Sequence, residues 1–105
     1  MKLYFYFFDE KVVGGIYTEE CDVIEESNTY FPESKFPDRF HKRYVRKSEI
    51  GEISGHSFSR SVVVLESDDE DRARKIYEHK IIEKLNIFSE EEAIYEKFYE
   101  ILNQK

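Results

Sequence analysis

The sequence predicts an α+β domain: an antiparallel β-sheet of about four strands, followed by two C-terminal α-helices packed on that sheet. Three observations carry the prediction. Up to Glu66 the chain is rich in β-branched and aromatic residues that alternate with a period of two. From Ser67 onwards the apolar residues recur at spacings of three and four. All strands precede all helices, an order that gives an antiparallel sheet with helices segregated to one side rather than a parallel α/β fold. The 105 residues are read as a single domain, 1–105, with no internal repeat and no composition shift.

The first strand is Leu3–Phe8. Leu3, Phe5 and Phe7 point one way and Tyr4, Tyr6 and Phe8 the other, so both faces are apolar, as in a central strand covered on both sides. Asp9-Glu10-Lys11 reads as a hairpin turn. A second strand starts at Val12 and runs to Glu26, with Gly14-Gly15 read as a bulge or bend. Past the glycines, Tyr17, Glu19, Cys21, Val23 and Glu25 share one side. Thr18, Glu20, Asp22, Ile24 and Glu26 share the other, which is mostly polar and reads as solvent-facing. Thr29–Phe31 either continues a strand or begins a loop. Residues 32–39, bracketed by Pro32 and Pro37, read as a loop, and Phe40–Lys47 as a strand. SEIGEISG, 48–55, is a turn with a short irregular piece, and His56 a turn residue. Ser57–Glu66 is a strand whose run Val62-Val63-Val64-Leu65 reads as buried.

Ser67-Asp68-Asp69-Glu70 matches a capping box and predicts a helix start, with Asp68, Asp69 and Asp71 in the first turn, where the helix dipole favours negative charge. Ala73, Ile76, Tyr77, Ile81 and Leu85 form its apolar stripe, and it ends near Asn86. Ser89–Glu92 repeats the box. The second helix places Ile94, Phe98, Ile101 and Leu102 on one face, flanked by Tyr95 and Tyr99, and Ile87 and Phe88 dock onto the core between the helices.

The formal charge is −7, with 37% charged residues. This argues against a dedicated nucleic-acid binder and fits a basic partner. The apolar run Leu3–Phe8 is too short for a signal peptide or a membrane span. With the single Cys21, this reads as a cytoplasmic protein that does not engage membranes. His41, His56 and His79 lie in different elements, so no metal or other cofactor is expected. Cys21 sits in the acidic run TEECDVIEE, where neighbouring carboxylates make a thiol a poor nucleophile. No phosphate-binding glycine loop or G-x-S-x-G elbow is present, and the chain is read as non-catalytic.

FPDRFHKRYVRK, 36–47, concentrates positive charge among aromatics. As a strand it would place Phe40, Lys42, Tyr44 and Arg46 on one face. Glu19–Glu26 carries five carboxylates in eight residues, so pairing beside that strand would set opposite charges across the sheet.

The N-terminal hairpin, RYVRKSEIGEI and VVVLESDDEDRARKIYEHKIIEKL together resemble small uncharacterised proteins encoded by phages and mobile elements of Gram-positive bacteria. The resemblance covers roughly residues 40–85, with Arg43, Val45, Lys47 and Ile50 at the matching positions. It implies an accessory protein that binds and blocks a host protein, in the manner of an anti-defence or anti-CRISPR inhibitor. Two functional readings follow. In the first, the acidic residues Glu19, Glu20, Asp22, Glu25 and Glu26 contact a basic surface of a host protein. In the second, Lys42, Arg43, Tyr44 and Arg46 hold a small anionic, nucleotide-like ligand.

Overall fold

A computed structural model describes residues 1–55, 57–87 and 92–104. Six strands form one antiparallel sheet in the order β4-β3-β2-β1-β6-β5. They are β1 (Lys2–Phe8), β2 (Ile16–Glu26), β3 (Thr29–Pro32), β4 (Val45–Arg46), β5 (Ile53–Ser54) and β6 (Val62–Leu65). Two helices follow, α1 (Glu70–Ile87) and α2 (Glu92–Leu102). The α+β class and the C-terminal helices are as expected; the strand count is six rather than four, because two short edge strands, β4 and β5, and the strand β3 carry too few residues to show a period.

The central position of β1 follows from its two apolar faces, and it pairs with both β2 and β6. The sheet curls strongly. Only Lys47–Glu52 links β4 on one edge to β5 on the other, and the Gly51 N–H donates to the Val64 carbonyl, extending the β5–β6 pairing towards that link. The inside of the curl holds Leu3, Phe5, Phe7, Cys21, Val23, Tyr30, Val45, Val62 and Val64. Phe36 and Phe40 close it, with ring centroids 5.6 and 5.0 Å from Phe5. The outside of β1 and β6 carries Tyr6, Phe8, Val63 and Leu65, buried under Ala73, Tyr77 and Ile81 of α1 and Phe98, Ile101 and Leu102 of α2. Burying each such side chain contributes roughly 1.5–3 kcal/mol.

Several sequence expectations are corrected. The second strand starts at Ile16, not Val12. Asp9 accepts from the Lys11 N–H through its side chain, and Gly14 and Gly15 take φ of +85° and +74°, so residues 9–15 form a compact turn rather than a bulged strand. A Cβ on Gly15 would lie 2.9 Å from Ile101 Cγ2, so this turn also seats α2.

Phe40–Lys47 is not a strand. Phe40 is drawn into the core, and only Val45–Arg46 pairs, with β3 and not with β2. Because β3 lies between them, the expected charge ladder between that segment and β2 is reduced, among the described residues, to one ion pair, Lys47 with Glu25 at 2.7 Å. Ser57–Glu66 shortens to β6, since Phe58–Arg60 coils into a 3-10 turn whose Phe58 ring stacks on Phe98 at 4.9 Å.

The α1 cap is Asp69, not Ser67. Its Oδ1 accepts from the Arg72 N–H at 3.0 Å. The Tyr6 hydroxyl accepts from the Asp69 N–H at 2.7 Å and donates to Asp68 Oδ1 at 3.2 Å, which fixes the start two residues later than the sequence motif suggests. In α2, Phe98, Ile101 and Leu102 are buried as expected, but Ile94 is 55% exposed. Phe58 meets this end of α2 on the Tyr95 side, with ring centroids 5.9 Å apart. The Ser89 cap, the docking of Phe88, the turn at His56 and the side chains of Leu85 and Ile87 lie outside the described residues.

Arg74 ties the layers together. Its Nη1 donates to the Gly14 carbonyl at 2.7 Å and also to the Leu102 carbonyl at the end of α2. A cation at a helix C-terminus is favoured by the helix dipole.

Candidate functional site

The helices cover the outer face of β1 and β6, together with Ile16 at the start of β2, and Ile53 of β5 packs against the same cluster. Register places Thr18, Glu20, Asp22, Ile24 and Glu26 of β2 on the same outer face as Tyr4 and Tyr6, since Tyr4 pairs with Glu20 and Tyr6 with Thr18. All five are exposed. The face continues across Ile24↔Phe31 and Glu26↔Thr29 into β3, and Thr29↔Arg46 into β4. Half of the outer sheet surface is thus open.

This open half is not simply polar. Ile24 is 51% exposed, and Phe31 and Tyr44 are each 38% exposed. The Phe31 and Tyr44 rings lie 6.1 Å apart, and the Arg46 guanidinium sits 5.6 Å over Tyr44 while donating to its hydroxyl at 3.2 Å. Asp22 and Glu26 flank Ile24 along this face of β2, and Glu20 lies one alternate position beyond Asp22. Lys2 neutralises one of them, through a 2.8 Å bond to Glu20.

The five acids named from the sequence divide between the two faces. Glu20, Asp22 and Glu26 lie together on the open face. Glu19 and Glu25 take the opposite side, where Glu25 bonds Lys47 at 2.7 Å. The four residues of the ligand reading also separate. Tyr44 and Arg46 belong to the open sheet face, and Arg43 is exposed. Lys42 instead bonds Glu49 at 3.3 Å and lines a cleft elsewhere. Sequence reasoning missed Ile24 and Phe31. One signal was present: Ile24 is the one large apolar residue among Thr18, Glu20, Asp22, Ile24 and Glu26.

The positive stretch is mostly taken up by single, separate acids. Arg39 bonds Asp9 at 3.0 Å and lies 4.4 Å over the Tyr17 ring. Asp9 accepts from the Lys11 N–H as well, and these two contacts hold its carboxyl below the usual range.

Cys21 donates to the Asp22 and Lys35 carbonyls. Burial, with Asp22 and Glu33 nearby, pushes its thiol pKa up, which makes it a poor nucleophile at neutral pH. The Tyr30 hydroxyl donates to Glu66 and its pKa is raised, first by burial and then by that bond. Among the described residues no three His, Cys, Asp or Glu side chains cluster closely enough to share a metal ion. No described helix is long and apolar enough to cross a membrane. No family model, curated protein or solved structure matches the chain.

Proposed function

We propose that this protein is a non-catalytic binder that docks the open outer face of β2–β4 onto a basic, partly apolar surface of a host protein and blocks it. The observation that carries this reading is the uncovered half-sheet on which Ile24, Phe31 and Tyr44 are exposed among Glu20, Asp22 and Glu26. An apolar centre with a charged rim is the anatomy of a protein interface. The three acids specify a partner of opposite charge and speed its approach. They also disfavour a second copy of this chain, because a twofold contact would set this acidic face against itself. The resemblance to phage and mobile-element proteins adds the context of an anti-defence inhibitor acting in the host cytoplasm.

The test is a comparative capture from lysate of the source organism. Tagged wild type should retain a specific protein with a basic surface. Glu20→Lys/Asp22→Lys/Glu26→Lys and, separately, Ile24→Asp/Phe31→Asp should lose it while staying folded. Retention of the same protein by both variants would refute the assignment.

A further inference from the structure

A second site lies at one end of the curl, and it does not depend on the partner reading. A cleft of about 930 Å³ opens between the end of β1 and the β1–β2 turn (Phe7–Lys11), the segment Arg39–Lys42, and the segments Ser54–Gly55 and Ser59–Val62. Its floor is apolar, because Phe7, Phe8, Phe40 and Val62 are core residues. Its rim reverses the charge balance of the whole chain. Lys11, Arg39, Lys42 and Arg60 line it against only Asp9 and Glu10. Both carboxylates are already engaged, Asp9 by Arg39 and the Lys11 N–H, and Glu10 by Lys97 at 3.9 Å.

The position of Arg60 is built into the backbone. Gly55 has φ of +132°, and a Cβ there would lie 2.5 Å from the Arg60 carbonyl oxygen, so the chain closes tightly on itself behind Arg60. Neither Arg60 nor Lys11 makes an ion pair with another described residue. Ligand pockets typically span about 300–1,000 Å³. Arg and Lys above an apolar floor suit a phosphate carried on an apolar or planar body.

We infer that this cleft binds a small phosphate ester of nucleotide size, with Lys11 and Arg60 holding the phosphate and Phe40 and Val62 beneath the body of the ligand. Of the residues the sequence offered for an anionic ligand, only Lys42 lines the cleft. The site is remote from the apolar centre of the open sheet face, Ile24. Tyr17, beside the cleft, and Ile24 are separated by seven strand residues, roughly 23 Å.

The experiment is an amide-shift titration of the full chain with AMP, ATP, adenosine and inorganic phosphate. AMP and ATP should shift residues 9–11, 39–42 and 59–62 saturably, with Kd below about 1 mM. Adenosine and inorganic phosphate should each bind at least about tenfold more weakly, because each lacks half of the recognition. Lys11→Glu/Arg60→Glu should weaken AMP at least about tenfold, and the Glu20/Asp22/Glu26 triple variant should leave it unchanged. Should the double variant disturb the fold, Arg60→Gln alone should still weaken AMP by about threefold or more. Absence of a saturable shift with AMP and ATP would overturn the inference. So would equal binding of adenosine or of phosphate, or undiminished binding in the variants.

Discussion

The outer face of this sheet is two surfaces with different fates. Over β1 and β6 it is sealed by α1 and α2, with Tyr6, Val63, Leu65 and Tyr77 fully buried. Beyond Ile16 of β2, and over β3 and β4, it is bare, with Ile24, Phe31 and Tyr44 exposed. On the inner face, residues of β1, β2, β3, β4 and β6 share one buried cluster. Stability is therefore concentrated on one side of β1 and the inner core. The bare half can be altered at little cost to folding, and that freedom suits it to recognition.

The sharpest way to test this division is to cut equivalent aromatics from the two halves. Tyr77→Ala removes a fully buried ring and the bond from its hydroxyl to the Tyr6 carbonyl at 2.7 Å. It should cost about 3–5 kcal/mol in urea denaturation. Phe31→Ala on the bare half should cost less than about 1 kcal/mol. Equal losses would erase the distinction.

Next in size is the cap of α1. Asp69→Ala should destabilise by about 0.5–2 kcal/mol, whereas Ser67→Ala should stay within about 0.5 kcal/mol of wild type. The reverse order in denaturation midpoints would restore the sequence motif and displace the Tyr6–Asp69 contact from its role.

Alkaline titration probes the sealed half again. Burial raises the Tyr6 pKa from 10.0 to about 12, and burial pushes Tyr77 up as well. A group that loses its proton more readily when unfolded favours folding below its unfolded pKa. That contribution fades as pH rises through the folded value. Stability should therefore fall between about pH 10 and about 12. Tyr6→Phe should flatten part of this slope, measured by thermal midpoints across the range. An unchanged slope in that variant would remove Tyr6 from the account.

Much of this architecture is legible in the residues, and the exceptions share a cause. The two-faced apolar pattern of β1 announces a central strand, and the polar alternate set of β2 announces its exposed side. Both follow from local periodicity. The failures arise where a distant contact decides. Phe40 alternates like a strand residue, yet Phe5 and Phe36 draw it inward. Ser67 fits a capping box, yet the Tyr6 hydroxyl holds the Asp69 N–H. Ile94 has helical spacing, yet it remains exposed while Tyr95 meets the Phe58 ring. The open sheet face was half legible. Its acids are visible in the sequence, but Phe31 joins Ile24 only through a pairing register that the short β3 does not advertise. The cleft was less legible still, because Lys11, Lys42 and Arg60 converge from three separate segments.

The smallest effect on folding is expected from the acidic variants of the bare half. Glu20→Lys/Asp22→Lys/Glu26→Lys should shift the denaturation midpoint little, since all three side chains are exposed. Its association rate with the partner should fall, and wild-type association should weaken with salt, because steering is screened beyond about 8–10 Å.

The most direct test of the division is to ask which exposed apolar side chains the partner touches. Ile24, Phe31 and Tyr44 lie on the bare sheet, while Ile82, Ile94 and Tyr99 are exposed on the helices. Methyl and aromatic resonances of all six can be followed while the captured partner is added. With the bare half as the contact surface, Ile24, Phe31 and Tyr44 should shift or broaden and Ile82, Ile94 and Tyr99 should not. Perturbation confined to the helical set would contradict that assignment.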